Sequence, residues 1–216
     1  MHIDQIVARL KKEVRHYPPP LSDQIVAEYG RDPYLILISC LLSLRAKDVM
    51  TIHTCRALFK LVRTPQQMVA LPRHALEKIV FTTGFYKTKA RVLQTVSQTL
   101  LDQFDGKVPD NVDALMGIKG IGPKTAQLVL GVAFGKPAVC VDTHVHRISN
   151  RLGLVKTVTV EQTEAALRKL LPKKYWIIWN NLLVVWGQQI CVPVSPKCSQ
   201  CAIRQWCKRV GVMRSR

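Results

Sequence analysis

Four cysteines near the C-terminus stand at a spacing that suits a metal. Cys191, Cys198, Cys201 and Cys207 read C-x6-C-x2-C-x5-C. So short a stretch can close four thiolates around one centre, and tetrahedral zinc and a cubane iron–sulfur cluster both take four. Spacing alone leaves those two open. Lys197, Arg204, Lys208 and Arg209 flank the motif and would offset thiolate charge. The other cysteines, Cys40, Cys55 and Cys140, stand singly in apolar surroundings and read as buried small hydrophobes. A total of seven, with no secretory leader in sight, argues against a disulfide framework.

Lys124 is the second chemical candidate. It lies in GIKGIGPKTAQLV, Gly117 to Val129, just behind Gly120, Gly122 and Pro123. A helix N-terminus carries partial positive charge, so a first-turn lysine is disfavoured there by about 0.3–1 kcal/mol. The two glycines are expected to take backbone angles barred to other residues and to let the chain approach a ligand. Pro123 suits the first helical turn, and the amides behind it could hold a phosphate. The stretch is no P-loop, since G-x4-G-K-[ST] is absent. It reads as a helix–hairpin–helix that grips a nucleic-acid backbone without reading sequence, with a plain helical turn as the alternative. Lys124 is then either a phosphate-binding cation or a nucleophile. An ordinary lysine is neutral in only about one molecule in several thousand at pH 7, but desolvation and a helix N-terminus both disfavour the ammonium. A neutral amine can form a Schiff base. Asp142, directly after the apolar AVCV, offers either a carboxylate partner or a helix N-cap. His144 and His146 beside it lack a third metal ligand and read as surface or core residues.

Helical periodicity dominates the elements that must carry these residues. Residues 32–62 read as two helices joined near Ser43–Asp48. Further helices are expected at ALEKIV, KTKARVLQTVSQTLLDQF, VDALMGI, KTAQLVLGVAF, THVHRISNRLGLV, VEQTEAALRKLL and YWIIWNNLLVVWGQQIC. The N-terminus reads as an amphipathic helix through Ile3, Ile6, Val7, Leu10 and Val14. Breakers at Pro18–Pro20, Pro65, Pro72, Gly84, Gly106–Pro109, Gly135–Pro137 and Pro172 separate the segments. AVCV is too brief for a strand, so the chain is expected to be all-α, with boundaries at HYPPPLS and at Gly135–Pro137.

Charge narrows the partner. Lys and Arg number 32 against 14 Asp and Glu, a formal net charge of +18. So basic a globular chain points to a polyanion, nucleic acid foremost, with an anionic membrane surface or a generic solvated surface as rivals. No apolar run approaches the roughly 18 residues of a membrane-spanning helix, and the N-terminus has no signal-peptide core. Membrane association is not expected, and the cytoplasm is.

Taken in order, LLSLRAKD (41–48), TGFYKTKA (83–90), GIGPKTA (120–126), VDTHVHRISNRLG (141–153) and the four-cysteine tail resemble the endonuclease III family of DNA base-excision repair glycosylases. The resemblance covers nearly the whole chain. It implies an all-α, two-lobed helical fold: a six-helix barrel with the helix–hairpin–helix over 25–136, and a second lobe of 1–24 plus 137–216 carrying a [4Fe-4S] cluster loop. It implies a monomer acting on double-stranded DNA that contains damaged bases or abasic sites, with the damaged base flipped out. In a bacterium the protein would be associated with the nucleoid. Lys124 matches the family's Schiff-base nucleophile and Asp142 its catalytic carboxylate. Cys191, Cys198, Cys201 and Cys207 match the cluster ligands. Gly120 and Gly122 match the phosphate-binding hairpin, and His144 joins the implied DNA contacts. Related adenine glycosylases carry serine at the lysine position and some mismatch-thymine glycosylases carry tyrosine. Lysine therefore implies a bifunctional enzyme that removes oxidised pyrimidines and cleaves the abasic site by β-elimination. The alternatives are a monofunctional glycosylase and a non-catalytic, cluster-bearing DNA-binding protein. Three positions depart from the family pattern. Arg45 stands where glutamine often fills the gap left by the flipped base, Phe85 where leucine does, and Lys119 where the hairpin commonly has proline.

Overall fold

A computed structural model describes residues 2–216. Among them the chain forms twelve α-helices and no strand, as the periodicity predicts. In chain order these are α1 (Ile3–Glu13), α2 (Leu21–Tyr29), α3 (Pro33–Ser43), α4 (Asp48–Leu58), α5 (Pro65–Ala70) and α6 (Arg73–Val80). Then come α7 (Tyr86–Phe104), α8 (Val112–Gly117), α9 (Pro123–Phe134), α10 (Thr143–Leu152), α11 (Val160–Leu170) and α12 (Trp176–Gln189). Two compact units result: Leu21–Lys136, and the residues up to Pro20 together with Pro137–Arg216.

In the Leu21–Lys136 unit, α3 is its most deeply buried helix. Asp32 caps it by accepting from the Tyr34 and Leu35 amides at 2.9 and 3.0 Å, and nine consecutive residues, Tyr34 to Leu42, are buried. A helix apolar on all sides belongs inside a core. The long α7 instead buries one stripe, Leu93, Val96 and Leu100 among it, at three- and four-residue spacing. Two helices in this unit, α2 and α5, are not among those the sequence pattern predicts. Pro65 does not interrupt α5 but opens it, with Thr64 as its cap accepting from Gln67 N at 3.3 Å. Proline lacks an amide hydrogen that the first turn would leave unpaired anyway, so it starts helices as readily as it stops them.

The other unit has its own core. Ile3, Ile6, Val7 and Leu10 of α1, Val145, Ile148 and Leu152 of α10, and Trp179, Leu183 and Trp186 of α12 meet there. Helix α10 stops at Leu152, three residues before the predicted end. Gly153 takes φ 73° there, the left-handed closing residue of a helix. The AVCV segment, Ala138–Val141, is fully buried yet neither helix nor strand. The Asn180 amide donates to the Cys140 carbonyl at 3.2 Å.

Candidate functional site

The hairpin between α8 and α9 is pinned by its apolar residues and leaves its tip exposed. Ile118 and Ile121 are buried, and the Ile121 amide donates to the Ile118 carbonyl at 3.0 Å. Between them Lys119 and Gly120 face solvent. Gly120 has φ 107°, and a Cβ there would stand 2.8 Å from Val92 Cγ1 on α7. Only glycine fits that position. Gly122 corrects the expectation for the pair. Its φ of −96° and ψ of 173° are extended backbone open to any residue, and a Cβ would meet nothing within 4 Å. The space above Gly122 is open surface.

Gly122 is also the N-cap of α9, and no side chain caps that helix. Pro123 is its first residue and Lys124 its second. Lys124 is exposed, so the unit itself does not supply the desolvation invoked for an amine nucleophile. Its charge nonetheless reaches inward. Burial pushes the Cys40 thiol up to about 12, and Lys124 is the largest influence opposing that rise.

Two more exposed residues of this unit share an unusual backbone. Arg45, in the α3–α4 connection, has φ 54°, and Phe85, immediately before α7, has φ 49°. Left-handed conformations in residues other than glycine cost on the order of 1–3 kcal/mol each and persist where surrounding structure dictates them. The Arg45 guanidinium carbon lies 5.6 Å from the Phe85 ring centroid, a cation–π pair. Phe85 is 62% exposed, a large apolar side chain held out in water.

Asp142 is the N-cap of α10. One carboxylate oxygen accepts from both the His144 and the Val145 amides, at 2.9 and 2.8 Å. The side chain is half-buried. His144, on the first turn, is held within its own unit: its Nδ1 lies 3.1 Å from Arg147 Nη2 and packs against Gly187, where a Cβ would clash at 2.4 Å. His146 belongs to a separate polar knot with Thr163 at 2.6 Å.

The four C-terminal cysteines lie on a loop fastened to α10. Arg147 donates to the Cys191 carbonyl at 3.2 and 2.9 Å. Arg151 reaches the Val192 and Pro193 carbonyls at 2.7 and 2.6 Å, with its Nη1 3.5 Å from Cys191 Sγ. All four thiols are half-buried. Among the described residues no three His, Cys, Asp or Glu side chains are gathered tightly enough to hold a single metal ion. The sulfurs nevertheless sense one another. Burial raises the Cys201 and Cys207 thiols above their ordinary range, and the nearby charge of Cys191 adds to both. The donor set fits a metal–thiolate centre on a further observation. The Trp186 indole N–H is buried without a hydrogen-bond partner among the described residues, and it acts on Cys201 to favour the thiolate. A bound thiolate would satisfy it.

One residue went unmarked in the sequence pattern. Lys89 on α7 is only 7% exposed, and its Nζ donates to the Leu42 and Thr83 carbonyls at 2.7 and 2.8 Å. Nothing in TGFYKTKA separates it from the exposed Lys87 except its place on the buried stripe with Leu93.

The family model for the HhH-GPD superfamily of base excision DNA repair proteins matches residues 38–173. Endonuclease III of Thermotoga maritima is 42% identical over 193 residues, covering 87% of this chain and 91% of its own. Among solved structures, a non-covalent endonuclease III–DNA complex superposes with a TM-score of 0.78 at 33% identity, covering 92% of this chain and 95% of the other. A trapped endonuclease III–DNA covalent intermediate gives a TM-score of 0.79, also at 33% identity, with 95% of each chain covered.

Proposed function

Because the chain belongs to the HhH-GPD superfamily of base excision DNA repair proteins, as a DNA glycosylase and AP lyase of the endonuclease III family, we propose that Lys124 is its nucleophile. Lys124 attacks C1′ of a nucleotide flipped out of double-stranded DNA, and the damaged base departs. Asp142 stabilises the cation that develops on the sugar and assists proton transfer. The resulting Schiff base acidifies the proton on C2′. Its removal expels the 3′ phosphate from C3′, and water then releases the sugar fragment from the lysine. Oxidised pyrimidines are the substrate class.

The observation that carries this reading is the position of Lys124: exposed, second in a helix that no side chain caps, directly behind an exposed hairpin tip. The α9 N-terminus suits a phosphate, because its N-cap, Gly122, carries no side chain to accept from the first-turn amides. Such a phosphate would sit over Gly122 with Lys119 and Gly120 beside it. Lys124 would be desolvated by the DNA rather than by the protein. Arg45 and Phe85 fill the gap left by the flipped nucleotide, the arginine toward the orphaned base and the phenylalanine between base steps. His144, whose Nδ1 faces Arg147, is proposed as a further DNA contact.

Cys191, Cys198, Cys201 and Cys207 are proposed to hold a [4Fe-4S] cluster, which supplies structure by closing the C-terminal loop. Arg147 and Arg151 anchor that loop on α10, and no acidic residue follows Leu170 to compete with the thiolates for positive charge. Purified protein should be brown with broad visible absorbance. A colourless protein loaded with zinc contradicts the cluster.

Borohydride reduction tests the nucleophile. With an oligonucleotide carrying thymine glycol or an abasic site, the wild type should form a covalent adduct and Lys124→Gln should form none. Equal trapping by the two proteins sinks the assignment. Base release without strand cleavage would indicate a monofunctional glycosylase.

A further inference from the structure

The two exposed left-handed residues, Arg45 and Phe85, belong to connections that are separate in sequence, yet a single buried ammonium joins them. Lys89 Nζ donates to the Leu42 carbonyl, three residues before Arg45, and to the Thr83 carbonyl, two residues before Phe85. Its backbone amide donates to the Phe85 carbonyl at 2.9 Å. Leu42 lies in the last turn of α3 and Thr83 ends the 3-10 turn Phe81–Thr83. Both carbonyls are therefore helix-end acceptors without a partner in their own helix, at the negative pole of the peptide dipoles. Lysine in a helix ordinarily extends its head to water. Here it is drawn inward beside a cavity of about 200 Å³ lined by Leu41, Leu44, Arg45, Phe85 and Lys89 among others.

We propose that Lys89 is a positioning residue that clasps the α3–α4 and Phe85 connections into one preformed wedge, so that Arg45 and Phe85 enter the DNA together. This rests on the reading that those two side chains fill the gap left by the flipped nucleotide. Without the clasp each connection can relax from its left-handed conformation, and ordering must be supplied at the moment of binding, which weakens it. Burial of the ammonium fits such a role. Desolvation lowers the Lys89 pKa to about 8, which still leaves the amine mostly charged at neutral pH, where it donates to two carbonyls.

The test compares substrates that need a wedge with those that do not. A single-stranded abasic oligonucleotide has no orphaned base. Lys89→Met keeps the unbranched stem as far as the Cε position and removes the donors. We expect the ratio of duplex to single-strand abasic cleavage to fall about tenfold, as the loss of two buried hydrogen bonds to charge would allow. With 2-aminopurine opposite an abasic analogue in duplex DNA, saturating wild type should raise fluorescence by unstacking that base. Saturating Lys89→Met should raise it less. In an Arg45→Ala/Phe85→Ala background, Lys89→Met should produce no further fall. If Lys89→Met does not fold, Lys89→Gln, too short to span both carbonyls, should give an intermediate ratio and fluorescence. A wild-type ratio and fluorescence in the folded Lys89 variant overturns the clasp. If the double alanine variant itself keeps the wild-type ratio, the gap-filling reading fails instead.

Discussion

Asp142 shows how one carboxylate can serve two ends. Its oxygen that accepts from His144 and Val145 starts α10, and its charge is what the proposed chemistry needs. The two can be separated, because asparagine is also a leading N-cap. Asp142→Asn should unfold at close to the wild-type temperature while base release falls by about 10²–10⁴-fold, the usual range for a catalytic acid or base. Asp142→Ala should lose the same activity and about 1 kcal/mol of stability besides. Lys89 makes a pH prediction. Burial lowers its pKa from 10.5 to about 8, so between those values the unfolded chain binds more protons than the folded one. Stability should therefore rise with pH across about 8 to 10.5, and denaturant titrations of Lys89→Met should lack that part of the rise. Neither feature was equally legible. Asp142 announced itself by type and position, whereas nothing in the type of Lys89 signals burial, and only its place on the α7 stripe could have done so.

At the scale of elements, most helices followed from apolar spacing, because α3, α7, α10 and α12 each bury a face or a whole surface. Helix α5 is hidden in the sequence because its Pro65 starts the helix, where proline more often signals a stop. The wedge connections escaped for a different reason. A left-handed turn is signalled by glycine, and Arg45 and Phe85 give no such signal. The hairpin divides its two glycines sharply. Gly120→Ala meets both a positive φ and the Val92 side chain, so it should lose about 1–3 kcal/mol, visible in thermal unfolding. Gly122→Ala should stay within about 0.5 kcal/mol of wild type. It should nevertheless weaken binding of abasic-analogue DNA, because its methyl group would project where the phosphate is proposed to lie. Equal stability losses in the two variants would contradict this division.

Across the whole molecule, a charge of +18 pointed to a polyanion before any motif was considered. Relatives and solved structures then place the chain in the endonuclease III family. Each unit carries its own core and its own share of the residues proposed for the chemistry: the hairpin, Lys124, Arg45 and Phe85 in one, Asp142 and the cysteine loop in the other. The family was legible in the order of five short motifs, since each motif serves a local geometric need and few folds require all five together. The backbone angles within those motifs were less so, since they depend on distant contacts such as that of Gly120 with Val92. No helix among the described residues is long and apolar enough to cross a membrane.

As the proposed nucleophile, Lys124 bonds to C1′ of the damaged nucleotide. Borohydride trapping on duplex DNA containing thymine glycol, followed by mass mapping of the cross-linked peptide, tests it most directly. A single adduct is expected on the peptide containing Lys124, and none with Lys124→Gln. An adduct on any other lysine, or undiminished trapping by Lys124→Gln, would contradict it.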